Sequence, residues 1–330
     1  MDMIHIRMVS PPAQTPQVVA RLSGDEYVAH LVVLPGSAHN PPGDLIECDV
    51  FAGAANALLH DLRALEVHSG GAVMIDPVDL AMSGRLDQVG QARLGPLAQA
   101  PLWTRVEARI HADATYAPSF YLYLIIAGII GAVGLLTNSE ILIVAAMILG
   151  PEYAAISAVA LGMDRGRRAR ITGGLWALTV GFTLAVVASW AFTLLVRLID
   201  RVPEAYERGI RPVVHLIDTP NIYSVVVAVL AGIAGIVALT HARSSTLLGV
   251  FVSVTTIPAA AAVGVGLATG SPGDAGTSFL QLLLNVVILI VVGFLSLRAQ
   301  RALWGRVGRR WARRHPDEAP GAISPSPPSS

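Results

Sequence analysis

Two patterns of hydrophobic and polar positions divide the chain near Pro118. Ahead of it the periods are short. Ile4–Val9 alternates and predicts a strand, and Thr15–Leu22, after proline punctuation, predicts a short helix. Tyr27–Gly36 predicts a second strand ending at Pro35-Gly36, HNPPGD a loop, and Asp44–Val50 a third strand. Ala54, Leu58, Leu59, Leu62 and Leu65 then fall at amphipathic-helix spacing, and GGAVMIDP predicts a fourth strand. The order β-α-β-β-α-β is that of a small α+β domain of the ferredoxin-like type, expected over residues 1–82. Residues 83–118 predict a polar connector with one amphipathic helix. Trp103 there suits the approach to a membrane surface.

After Pro118 the apolar runs lengthen. About 30 Å of hydrocarbon needs roughly 20 helical residues, and six runs qualify: Ser119–Leu136, Ile141–Gly162, Ile171–Leu198, Ile222–Thr240, Leu247–Ala268 and Phe279–Leu297. The expected architecture is an α-helical integral membrane domain over residues 119–298 behind the α+β head. A basic juxtamembrane segment (299–315) and a disordered Pro/Ser-rich tail (316–330) follow.

Composition agrees. The chain is 53% hydrophobic and 14% charged, with mean hydropathy +0.59, which excludes an ordinary soluble domain. The net charge is zero, so the placement of charge says more than its sum. There is no lysine. Arg165, Arg167, Arg168 and Arg170 sit between runs two and three, and Arg243 between four and five. Seven arginines follow run six, from Arg298 to Arg314, whereas the TNSE and SPGDAGT turns hold none. The positive-inside rule then puts both termini in the cytoplasm of a cell (plasma) membrane protein. MDMIHIRMVSPP has no basic region leading into an apolar one, so it does not read as a signal peptide. The arginine tail abuts a span and lacks base-reading chemistry, which argues for anionic lipid and against nucleic acid. Cys48 is the single cysteine, so no disulfide framework or cysteine metal site is expected. His5, His30, His60 and His68 show no ligand spacing.

Internal similarity sharpens the picture. AGIIGAVGLLT from Ala127 and AGIAGIVALT from Ala231 agree at Ala, Gly, Ile, Gly, Val and Leu, 104 residues apart. Pro151 and Pro258 interrupt the second and fifth runs 107 residues apart, which implies a short insertion. Three runs in each half make the halves inverted, a 3+3 repeat. Proline-broken helices at corresponding places then point to a binding site at the bilayer midplane. Proline removes a backbone donor and frees a carbonyl, tolerated in a membrane only where protein or a water-filled cavity supplies partners. Glu152 follows the Gly150-Pro151 break, and a carboxylate at that depth must face inward and be paired or protonated. Ser253, Thr255 and Thr256 precede Pro258 and offer hydroxyls; Asn285 and Gln281 add polar groups in the sixth run. Asn138 and Ser139 open the second run and suit a cap. The plainer reading is that these groups only satisfy backbone and pack Gly/Ala surfaces.

NSEILIVAAMILGPEYAAISAVALG (138–162) and TTIPAAAAVGVGLA (255–268), with VEARIHADATYAPSFY before the first run, resemble a bacterial uncharacterised hydrophobic membrane domain family, domain of unknown function 389. The likeness extends over Ile4–Leu297 and is similar to actinobacterial members. Single Pro151 and Pro258 stand where many members carry a longer double signature. The resemblance implies an integral membrane protein with a cytoplasmic head and supplies no substrate.

The residues favour a secondary transporter or channel-like protein for an unknown small solute or ion, with its site at Gly150, Pro151, Glu152, Ser253, Thr255, Thr256, Pro258 and Asn285. The alternative is a non-transporting membrane sensor or scaffold whose head binds a ligand or partner and whose spans pair as a homo-oligomer. No catalytic motif, metal set or cofactor fingerprint is present, so enzyme activity is not expected.

Overall fold

The computed structural model describes residues 3–78, 97, 100–207, 222–241 and 255–314. The chain forms two compact units, Met1–Thr104 with Arg301–Ser330, and Arg105–Gln300.

The first unit begins β1 (Met3–Ser10), α1 (Thr15–Ser23), β2 (Val28–His39), β3 (Pro42–Phe51), α2 (Ala52–Ala64), α3 (Val67–Gly70) and β4 (Ala72–Val78). The strands form one antiparallel sheet in the order β2-β3-β1-β4. Alternation decides its faces: Ile4, Ile6 and Met8 of β1 and Ile46, Cys48 and Val50 of β3 are buried in one core with Val18, Leu22, Leu58 and Leu62 of the helices. The second strand does not end at Pro35-Gly36, and the HNPPGD loop shrinks to a turn at Asn40-Pro41, because β2 runs on to His39 and β3 starts at Pro42. The break is absorbed as an irregularity between Leu34 and Ala38, where Gly36 takes φ +64° and its amide donates to Asp44 Oδ1 at 2.8 Å. Pro42 is tolerated because it is the first residue of its strand.

The opposite sheet face mixes polar side chains with exposed Val32, Leu34 and Met74. Asp49 accepts from Nδ1 of both His5 (2.8 Å) and His30 (2.7 Å), and Arg7 Nε donates to Glu47 at 2.7 Å. Leu97, Leu102, Val307 and Trp311 join the core. Trp103 carries Arg301 over its ring at 4.9 Å, so this part of the basic segment packs on protein.

The second unit draws on α4 (Trp103–Asp113), α5 (Pro118–Leu136), α6 (Glu140–Leu149), α7 (Glu152–Arg165), α8 (Arg168–Leu198), α9 (Glu204–Glu207), α10 (Ile222–Thr240), α11 (Thr256–Thr269) and α12 (Pro272–Arg314). Among the described residues four helices are long and apolar enough to cross a membrane, α5, α8, α10 and α12. The pair α6 and α7, bent by 48° at Gly150-Pro151, makes a fifth if taken as one span. The run from Leu247 lies outside the described residues up to Val254; its described part is α11. Ser139 caps α6, accepting from the Leu142 amide, and Asn138 turns the chain at φ +53°. SPGDAGT is mostly helix rather than turn: Gly270 closes α11 at φ +76°, and Pro272 opens α12 at the position where its missing N–H costs nothing.

Element boundaries recur at a constant spacing. Helices α5 and α10 end at 136 and 240, α7 and α11 start at 152 and 256, and α8 and α12 start at 168 and 272, each pair 104 residues apart. Helices α7 and α11 also have equal lengths, 14 residues each. Left-handed glycine caps recur at Gly166 and Gly270, and the bonds Arg167 N to Gly162 O and Ser271 N to Gly266 O are both 2.9 Å. Close approaches recur too: Gly264 of α11 lies against Ser189 of α8, and Gly293 of α12 against Ala160 of α7. No insertion separates the matched pieces.

Candidate functional site

Helix α6 stops because Gly150 precedes a proline, which disfavours helical backbone there, and Gly150 is extended at φ −70°, ψ 124°. Pro151 then caps α7 without a donor of its own, and Glu152 is the first helical residue. Position 150 admits no side chain: a Cβ would meet Glu152 Oε2 and lie 2.8 Å from Ile257 Cγ1. In the second break Thr255 is the cap and Thr256 the first residue of α11. Pro258 is the third residue, inside the first turn, where amides have no intrahelical acceptor to lose. The two prolines therefore occupy different positions in their helices, and the residues that open the two helices are Glu152 and Thr256.

Those two residues touch. Thr256 Oγ1 donates to Glu152 Oε1 at 2.6 Å, with both side chains buried, 0% and 5% exposed. Beside them Asn285 Nδ2 donates to Thr255 Oγ1 at 2.9 Å, and Gln281 Nε2 donates to Asn285 Oδ1 at 3.3 Å, one turn along α12. Two half-helix N-termini and one continuous helix thus enclose a buried polar group of five side chains. Among the described residues Glu152 Oε2 and Gln281 Oε1 are buried and have no hydrogen-bond partner. An orphan acceptor costs about 1–3 kcal/mol, more when charged.

Next to this group lies a cavity of about 500 Å³. The carbonyl end of α6 (Ile148, Leu149, Gly150) and the first turns of α7 (Pro151, Tyr153, Ala154, Ser157) form one wall. Asp113, Tyr123 and Leu239 also line it, with no basic side chain among the described lining residues.

Of the residues expected from sequence, the structure gathers Gly150, Pro151, Glu152, Thr255, Thr256, Pro258 and Asn285 at one place; Ser253 lies outside the described residues. Asp113, Tyr123, Tyr153 and Ser157 were not anticipated. Tyr153 carried a faint signal, since it follows the intramembrane glutamate directly. Asp113 carried none, because its part depends on how α4 is folded back. Among the described residues no group of three His, Cys, Asp or Glu side chains is placed to hold a metal.

The apolar helices around these breaks are compatible with a multi-pass membrane protein. More particularly, residues 147–291, from the end of α6 into α12 and including both breaks, match the family described as Domain of unknown function (DUF389). No curated protein and no solved structure matches the chain.

Proposed function

We propose that the protein is a secondary transporter of the plasma membrane with its site at the junction of the two breaks. The observation that carries this reading is the Glu152–Thr256 contact beside the cavity. A carboxylate held in the apolar interior costs several kcal/mol unless a proton or a cation neutralises it, so such residues mark ion and substrate pathways. Under this reading the run from Leu247 completes a sixth span, and the recurrence at 104 residues is an inverted 3+3 repeat. The arginine-rich ends and both termini face the cytoplasm, the ferredoxin-like head among them, and exposed arginines of α12 meet anionic lipid.

The two sides of such a repeat are dissimilar, which supports alternating access. The cavity residues Leu239 and Ser157 correspond, at the same spacing, to Leu135 and Ala261. Leu135 and Ala261 are packed in a buried apolar cluster with Met147 and Tyr206. Two residues that line the cavity thus have counterparts buried among apolar side chains.

Single cysteines test this in a Cys48→Ser background, at Ala154 and Leu239 for the open side and Leu135 and Ala261 for the filled side. Membrane-impermeant thiol reagents should label the first pair from the cytoplasm, and the second pair from outside in a fraction of molecules. Proton- or cation-linked flux should be lost in Glu152→Gln at normal expression. If none of the four positions reacts while loop controls do, the breaks are sealed, and a sensor or scaffold built around the head takes precedence.

A further inference from the structure

We propose that the cavity takes a small organic cation, a protonated amine, in exchange for a proton carried by Glu152. The inference rests on the transport reading above and names the substrate class. Four observations lead to it. Among the described lining residues every polar side chain can accept a hydrogen bond, and the single charged one is the carboxylate of Asp113. Ile148, Leu149 and Gly150 add the C-terminal carbonyl end of α6, the negative end of a helix. Glu152 Oε2, buried and without a partner among the described residues, sits against Gly150, which is itself part of the wall. An anion would find no Arg, Lys or His among the described lining residues to meet it.

The alternatives fit less well. The amino end of α7 favours negative charge, but that place is already taken by the carboxyl group of Glu152, the first residue. A bare metal cation needs a tight cage of oxygen ligands, whereas about 500 Å³ is room for a drug-sized molecule. Tyr123 and Tyr153 offer phenol rings to a cation, and Ile148 and Leu239 offer apolar surface to its carbon skeleton. The charge balance is one for one. As the ammonium N–H approaches Oε2, the proton leaves Glu152 for cavity water, and the site's net charge is unchanged.

The experiment uses the full chain in nanodiscs of zwitterionic lipid, weakly buffered. 2-Phenylethylammonium, 3-phenylpropionate and sodium are titrated separately, with binding heat and proton release recorded together. The expected result is saturable binding of the amine alone, with a Kd below about 10 mM and about one proton released per amine bound. Glu152→Gln should abolish the proton release. Asp113→Asn, at an exposed position, should weaken the amine several-fold and leave the proton count at one. Binding of the carboxylate or of sodium in place of the amine would overturn the substrate class and leave the transport reading standing. Amine binding that releases no proton in the wild type would overturn the exchange. Absence of binding by all three probes would also overturn the proposal, and labelling of Ala154→Cys and Leu239→Cys then decides separately whether transport falls with it.

Discussion

Thr256→Val is nearly isosteric and removes only the hydroxyl that reaches Glu152. The lost bond is short, 2.6 Å, fully buried and made to a carboxyl group whose other oxygen already has no partner among the described residues. A hydrogen bond to a charged group is worth about 1.5–3 kcal/mol net, and a neutral one about 1 kcal/mol. The substitution should therefore lower stability by about 1–3 kcal/mol. Leaving both carboxyl oxygens bare puts the cost toward the upper end of that range. The informative comparison is the cycle with Glu152→Leu. Removing the carboxyl alone strands the Thr256 hydroxyl, while removing both leaves an apolar contact with nothing unsatisfied. The double variant should cost less than the sum of the singles by about 1–3 kcal/mol. Reversible unfolding in mixed micelles, followed by tryptophan fluorescence, measures all four corners. A Thr256→Val loss below about 0.5 kcal/mol, or strict additivity in the cycle, would refute the contact and with it the junction of the two breaks.

Gly264→Ala should be strongly destabilising, by about 1–3 kcal/mol or more, because a Cβ there lies 2.5 Å from Val186 O and 2.8 Å from Trp190 N, backbone atoms that cannot step aside. Gly173→Ala, with nothing within 4 Å, should instead stabilise its helix by about 0.5–1 kcal/mol, and the pair measured together separates packing from helix propensity. Burial raises the Cys48 thiol to about 12, so thiol reagents should leave the native wild-type protein unlabelled and react only after the head unfolds. The Thr15 hydroxyl and then the Gly36 amide hold the Asp44 carboxyl below its ordinary 3.8. Its folded value is depressed, so its contribution is present above the unfolded pKa and lost as pH falls through the folded one. Asp44→Asn should flatten the acid limb of head stability below about pH 4, read as Cys48 exposure to an acid-tolerant disulfide reagent.

The apolar runs made most of the membrane half legible, and Gly150-Pro151-Glu152 announced the break within two residues of its position. The sequence paired the two breaks but blurred the residue-by-residue register between them. Aligning Pro151 with Pro258 misplaced the equivalence by three residues, because proline is tolerated at several positions in a first helical turn and so marks a helix start only loosely. The matching Ala127 and Ala231 stretches carried the right spacing, and applying it to Glu152 leads straight to Thr256. In the head, Pro35-Gly36 looked like an end because both residues usually terminate strands; a bulge held by Asp44 was the other way to satisfy them. His5 and His30 showed no ligand spacing along the chain, since their common partner Asp49 belongs to a strand between theirs. Cross-strand neighbours of that kind become visible only once the register is known.

A chain of two like pieces, each crossing an odd number of times under the reading proposed above, descends naturally from a half-length ancestor that entered the membrane both ways round and paired with itself. It can also be divided again: fragments cut in the connector between Leu198 and Ile222 and synthesised together should find each other. What now tells the pieces apart is charge. Arg165, Arg167, Arg168 and Arg170 pin the first, while the residues 104 positions on are Thr269, Ser271, Pro272 and Asp274. Under the reading proposed above, those four arginines orient the first piece, and Arg243 with the arginines that follow run six orient the second the opposite way.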